Sequence, residues 1–201
     1  MNSLIIITGC PGTGKSHWAK LVCCRFPRLN AFSFDEMKEE YWDRIGYDNN
    51  EEKTAINDRC LEDFYLRLEA RLRAGEDILI EYPFSMRHAP VLDAIIQRTG
   101  CRAVTLYLHG DMPTIYARAN ARDEAGGRHP GHLLSCYHKG VTPPPLKADA
   151  QSRLTLEQFI QSCTRKNYDI RLGLNLPVDV TDFSRIDYEN VYAQIAAHTG
   201  L

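Results

Sequence analysis

Gly9-Cys10-Pro11-Gly12-Thr13-Gly14-Lys15-Ser16 matches the pattern G-x-x-x-x-G-K-[ST]. Each conserved letter of that pattern has a chemical reason. The glycines let the backbone turn so that successive N–H groups point inward at phosphate oxygens. A helix beginning at the end of the loop adds its positive N-terminal end. Lys15 can reach the β- and γ-phosphates of a nucleoside triphosphate, and Ser16 can offer a hydroxyl to Mg²⁺. The dinucleotide pattern G-x-G-x-x-G does not fit, because His17 stands three residues after Gly14.

Further candidates lie elsewhere in the chain. Asp35 follows an apolar stretch and could orient an acceptor hydroxyl and take its proton, or could cap the helix that begins with Glu36. Glu81 could hold the water shell of a magnesium ion or contact an acceptor, or could pair with Arg87. Arg118 and Arg122 are four apart, so they share one helix face and can neutralise charge on a transferring phosphoryl group. Arg128 lies further along, and Asp123 and Glu124 are available as partners for these arginines. His129, His132, Cys136 and His138 fall within ten residues. Their spacing matches no common zinc pattern, so they read as part of the same loop region. Cys10 sits where a helix N-terminus and a lysine could lower a thiol pKa, although a small packing residue suits the position as well.

These residues must be positioned by a framework, and the pattern along the chain supplies one. Leu4–Thr8 is β-branched and nearly all apolar, as in a strand buried on both faces. A helix is expected from Lys15 to Phe26, ended by Pro27. Asn30–Phe34 reads as a second strand that ends at Asp35. From Glu51 to Ala74, Ile56, Cys60, Phe64, Leu68 and Leu72 recur at helical spacing, with Gly75 as the stop. Asp77–Glu81 reads as a third strand, Pro90–Arg98 as a helix and Ala103–Leu108 as a fourth strand. Pro113–Arg122 follows as a helix with proline at its first turn. Val178–Val180 is a short fifth strand, and Tyr188–His198 a terminal helix. This alternation predicts an α/β fold of the P-loop NTPase type, with a parallel sheet of about five strands flanked by helices. Residues 123–175 break the rhythm. They hold Gly126-Gly127, the Pro143–Pro145 run and one helical stretch, Thr155–Asn167, and long excursions of this kind serve as lids or binding loops.

Composition narrows the classes. A chain of 201 residues suits one domain, and a formal net charge of −2 lacks the basic excess of a duplex-binding protein. Seven cysteines, an odd number with no C-x-x-C pair, argue against a disulfide framework or zinc ribbon and fit reduced thiols in a cytoplasm. The opening apolar run is too short to span a membrane and lacks the features of a signal peptide.

Ile6 through Ala19, Ile6-Ile7-Thr8-Gly9-Cys10-Pro11-Gly12-Thr13-Gly14-Lys15-Ser16-His17-Trp18-Ala19, resembles the start of the phage-type polynucleotide kinase domain. That domain belongs to a group of P-loop kinases with an AAA-type ATP-binding domain, acting on small molecules and nucleic-acid ends. The resemblance covers about residues 3–128 and returns at 177–182. It matches an Asp after the second strand at Asp35, an acid and a following Arg at Glu81 and Arg87, and an R-x-x-x-R pair at Arg118 and Arg122. Members often have Asp where this chain has Glu81, and Asn shortly after it where this chain has Pro83 and Phe84. Arg128–His132 is similar instead to a lid sequence in bacterial members of the group. The resemblance implies ATP and Mg²⁺ as cofactors, with Ser16 and Glu81 on the metal. It implies Asp35, Glu81, Arg87 and Arg128 on the acceptor side, and the loop Thr181-Asp182-Phe183, with Thr181 and Asp182 as its binding residues, near the adenine. The expected reaction is γ-phosphoryl transfer from ATP to a hydroxyl of a small molecule such as a sugar, nucleoside, antibiotic or metabolite. A polynucleotide 5′-hydroxyl is the alternative acceptor, and an ATP-binding or ATP-hydrolysing switch the alternative class.

Overall fold

The computed structural model describes residues 1–125, 128–141 and 154–201. Gly126-Gly127 and the Pro143–Pro145 run lie outside the described residues. Strands β1 (Ser3–Gly9), β2 (Asn30–Ser33), β3 (Ile78–Glu81), β4 (Arg102–His109) and β5 (Leu174–Asp179) form one parallel sheet in the order β2-β3-β1-β4-β5. Helices α1 (Lys15–Arg25), α2 (Phe34–Ile45), α3 (Asn50–Arg73), α4 (Ala89–Thr99), α5 (Met112–Glu124), α6 (Leu156–Lys166) and α7 (Tyr188–Thr199) surround it.

The central strand explains the layering. Leu4 and Ile6 of β1 join Ile78 and Ile80 in a core closed by Phe64, Leu68 and Leu72 of α3 and by Leu92 and Ile95 of α4. Ile5 and Ile7 point the other way, into a core with Trp18 and Val22 of α1 and Val191, Tyr192 and Ile195 of α7. A strand with apolar partners on both faces has no polar side to show, which is why β1 reads as a continuous apolar run.

Several boundaries differ from the sequence expectation for local reasons. Phe34 opens α2 rather than closing β2, because Ser33 caps that helix: its hydroxyl accepts the Glu36 N–H at 3.2 Å. Asp35 is therefore not the cap. β5 begins at Leu174 rather than Val178, which shortens the excursion after α5. Pro177 is tolerated within β5 because that strand is an edge, paired to β4 alone.

Connections from β1 leave toward β2 and those from β3 leave toward β4, so the chain reverses direction between the adjacent strands β1 and β3. Ligands of open α/β sheets bind outside the carboxyl ends at such a reversal. Ile7 of β1 and Ser33 of β2 are both in register with Glu81. The loop 9–14, the start of α2 and the end of β3 thus converge at one end of the sheet.

Candidate nucleotide and acceptor site

The loop Gly9–Gly14 runs from β1 into α1, with strand before and helix after as the motif requires. Gly12 has φ 89° and lies against α5, where a Cβ would collide with the Ile115 carbonyl oxygen. The loop closes on itself through the Thr13 hydroxyl, which donates to Cys10 O at 2.8 Å. Lys15 Nζ donates to Gly9 O and Cys10 O at 3.1 and 3.0 Å. Burial brings the Lys15 pKa down to about 8; Glu81 opposes the shift and Arg122 adds to it. Cys10 is not a low-pKa thiol. A hydrogen bond shared with Cys163 and burial push it up, and it packs against the small apolar cluster of α5 and α6.

A cavity of about 670 Å³ opens over this loop. Lys15, Ser16, Asp35, Glu81, Arg118, Arg122 and Arg128 all line it. Residues separated by more than a hundred positions therefore share one chamber. Ser16 Oγ donates to Glu81 Oε1 at 2.9 Å, and burial pushes the Glu81 carboxyl up while Ser16 and Lys15 hold it down. A hydroxyl beside a carboxylate is a hard all-oxygen donor set, which fits Mg²⁺. Arg87 makes no ion pair with Glu81. Its Nε instead donates to His88 Nε2 at 3.2 Å, and Arg87 is outside the cavity lining.

Asp35 lies on the first turn of α2, where Lys38 one turn later reaches back to it at 2.6 Å. Burial alone would push the Asp35 carboxyl up. Lys38, His132 and Arg128 outweigh it and hold the pKa below its ordinary value, so Asp35 stands as a carboxylate at neutral pH. The Lys38 ammonium is itself enclosed by the rings of Phe34, Trp42 and Tyr82, 4.8 to 5.5 Å away. The sequence reading did not single out Lys38. The i,i+3 spacing from Asp35 was the available signal.

The three arginines do not act alike. Arg118 donates to Val180 O at 2.6 Å and Thr181 O at 2.9 Å, and its guanidinium lies 4.6 Å from the Phe183 ring. It is committed to the loop after β5 rather than left free for phosphate. Arg122 and Arg128 both converge on Asp123 Oδ1, each at 3.0 Å. Thr181 and Asp182 do not line the cavity. Thr181 Oγ1 accepts the Asp111 N–H and Asp182 accepts the Ser184 N–H, while the neighbouring Phe183 faces the chamber and meets Gly14 and His17. Of the loop 181–183 that the sequence reading named, Phe183 alone lines the chamber. Lys166 is a cavity residue that the sequence reading missed; it lies at the end of α6, with no motif to mark it.

The described residues of the excursion divide between two supports. Helix α6, capped by Thr155 and Gln158 in a reciprocal capping box, packs Phe159 on Tyr116 of α5. Residues 128–138 lie instead on α2 and on the turn that follows it. Gly131 seats against the Trp42 ring, His132 Nε2 meets Glu39 at 2.8 Å and His129 Nε2 meets Asp43 at 3.1 Å.

A model of the family described as AAA domain matches residues 4–144. The chain belongs to that AAA domain family. No curated protein matches it by sequence. Among solved structures, a kinase candidate from Chloroflexus aurantiacus is 23% identical with a TM-score of 0.74, each chain covered to 98%. A gluconokinase from Sinorhizobium meliloti is 16% identical with a TM-score of 0.52, covering 96% of this chain and 97% of that one. Chaetomium thermophilum Kti12 in complex with ADP-AlF3 is 14% identical with a TM-score of 0.57, each chain covered to 98%. At these identities the similarity is one of fold, and it places this AAA domain chain among P-loop NTPase folds. No helix among its described residues is long and apolar enough to cross a membrane.

Proposed function

We propose that this protein is an ATP-dependent kinase that transfers the γ-phosphoryl group to a hydroxyl of a small-molecule acceptor. One observation carries the reading. An ionised carboxylate, Asp35, held by Lys38, lines the same chamber as the phosphate-loop Lys15 and Ser16. A switch that only binds nucleotide needs no such acid, and a hydrolysing one needs only a positioned water, so an ionised carboxylate set apart from the metal-side Glu81 fits an acceptor hydroxyl better. The chamber volume lies within the range of small-molecule sites.

In this reading the loop N–H groups and Lys15 hold the triphosphate. Ser16 and Glu81 are the residues that would hold Mg²⁺, which when bound neutralises charge on the β- and γ-phosphates. Asp35 orients the acceptor hydroxyl and takes its proton as the oxygen attacks phosphorus. Arg122 and Arg128 exchange Asp123 for the charge that develops on the transferring group. Arg118 and Phe183 form a platform beside Gly14 that suits the base of the nucleotide. Two structures of similar fold support the class: one is a gluconokinase and another holds ADP-AlF3.

The test is a phosphate-transfer screen with ATP against a metabolite set and 5′-hydroxyl oligonucleotides, with acceptor-free ATP hydrolysis as control. Transfer to a small hydroxyl compound with little salt dependence supports the proposal. Transfer to oligonucleotides, with acceptor KM rising steeply with salt through counterion release, would make the polynucleotide reading correct instead. Hydrolysis that no acceptor stimulates would indicate the switch.

A further inference from the structure

The stretch 128–141 sends its histidines in two directions. His129 and His132 turn onto α2 and pair with Asp43 and Glu39. Cys136 and His138 turn outward, toward Asp48 in the turn between α2 and α3. Backbone pairing sets this second group. Tyr47 and Tyr137 form an isolated antiparallel bridge in which each N–H donates to the other carbonyl at 2.8 Å. Antiparallel pairing places the residue after Tyr47 opposite the residue before Tyr137, so Asp48 faces Cys136. His138 Nε2 lies 2.8 Å from Asp48 Oδ1, and Cys136 Sγ lies 3.9 Å from the same oxygen. Ligand atoms of all three residues fall within 4.8 Å of one another. The His138 ring occupies the space beside Gly46, at φ 71°, where a Cβ would collide with it.

We propose that Asp48, Cys136 and His138 form a binding site for a zinc-class divalent cation, one that staples residues 128–141 to the α2–α3 turn. The donor chemistry selects the ion. A sulfur, an imidazole nitrogen and a carboxylate oxygen suit Zn²⁺, which takes such mixed sets tetrahedrally. Mg²⁺ and Ca²⁺ prefer oxygen alone. Three protein ligands leave the fourth position to water. An exposed His–Asp pair contributes little by itself, whereas a cation joining both segments would link them across 88 residues, from Asp48 to Cys136. None of the three lines the nucleotide chamber, so the site stands apart from the proposed phosphoryl transfer and does not depend on it. Binding converts the Cys136 thiol to a metal thiolate and releases its proton to solvent, so affinity rises with pH.

The test uses the full chain in a phosphine reductant, titrated with Co²⁺ as a spectroscopic stand-in and then with Zn²⁺. One equivalent of Co²⁺ is expected to give a thiolate-to-metal band that Zn²⁺ removes and excess Mg²⁺ does not. Cys136→Ser should abolish the band. Loss of an outer-shell partner already costs a metal site about 10–100-fold in affinity, so His138→Gln and Asp48→Asn, which remove ligands, should weaken binding at least that much. Cys24→Ser, at another exposed thiol, should leave the band unchanged. Zn²⁺ should raise the thermal midpoint of the native chain and not that of Cys136→Ser. A native chain without a saturable band, or a band that persists in Cys136→Ser or at full affinity in His138→Gln, overturns the proposal.

Discussion

The loop of residues 9–16 forms one wall of the chamber, the proposed phosphate side, through Pro11, Gly12, Gly14, Lys15 and Ser16. The remaining charged lining is gathered from five places: Asp35 and Lys38 from α2, Glu81 from β3, Arg118, Arg122 and Asp123 from α5, Arg128 beyond it, and Lys166 from α6. The first side is mostly backbone, held by its own hydrogen bonds and by a helix start. The second is mostly side chains, most of them already paired: Asp35 with Lys38, Glu81 with Ser16, Arg122 and Arg128 with Asp123, and Arg118 with the carbonyls of Val180 and Thr181. A backbone site is preformed and tolerant of distant changes. A side-chain site must exchange internal partners for substrate, so its residues divide the work and single losses there should cost less.

The largest effect expected from this contrast is at Lys15. Lys15→Ala removes the charge that the loop backbone cannot replace, and kcat/KM for transfer should fall by about 10³-fold or more. Unchanged ATP affinity and turnover in that variant would sink the phosphate-loop reading itself. Next comes Asp35→Asn, nearly isosteric and not the helix cap. Its kcat should fall about 10²–10⁴-fold, the contribution of a positioned acid–base group, with ATP Kd within about threefold of native. Near-normal kcat would move the search for the base to Glu81.

Arg122→Ala should be milder. A lone arginine finger contributes about 10³–10⁵ in rate, but Arg128 shares the same partner, so a kcat loss of about 10²-fold is expected, with a larger loss in the double variant. Arg122→Lys should rescue only partly, because an ammonium cannot make the bidentate fork. Additive single losses in a double-mutant cycle would show that the two arginines work independently.

A smaller effect is set by pH. With a Lys15 pKa of about 8 against 10.5 ordinarily, the free protein loses this charge as pH rises through 8. ATP Kd should be flat below pH 7 and weaken about tenfold by pH 9, with proton uptake on binding. Lys15→Arg, which does not titrate there, should show a flat profile whatever its affinity. The folding balance has its own sign: the unfolded chain holds the proton between pH 8 and 10.5 and the folded chain does not, so this residue makes stability rise with pH across that window. The smallest effect is expected at Arg87. Its contact is with His88 and it does not line the chamber, so Arg87→Gln should change acceptor KM by less than about twofold. A tenfold rise would restore it to the acceptor side.

The phosphate loop, the strand that feeds it, the parallel sheet and most helix centres were legible in the residues alone. Each is a local matter: a glycine pattern encodes a turn, a β-branched apolar run encodes a doubly buried strand, and a four-residue apolar repeat encodes a helix face. Asp35, Glu81, Arg122 and Arg128 could also be named, since the ends of parallel strands and the segments after them are where ligands collect. Their partners could not. Whether Glu81 would meet Arg87 or Ser16 depended on β1 and β3 lying side by side. Arg118 was drawn to carbonyls more than sixty residues away because β5 pairs with β4 and brings its loop over α5. Lys38 became a site residue only when three aromatic rings folded around it, and residues 128–138 took up their position through the Trp42 surface of α2 and the Tyr47–Tyr137 bridge. Local backbone preference is written in neighbouring residues, whereas side-chain partnership is decided by which strands and helices the whole chain brings together.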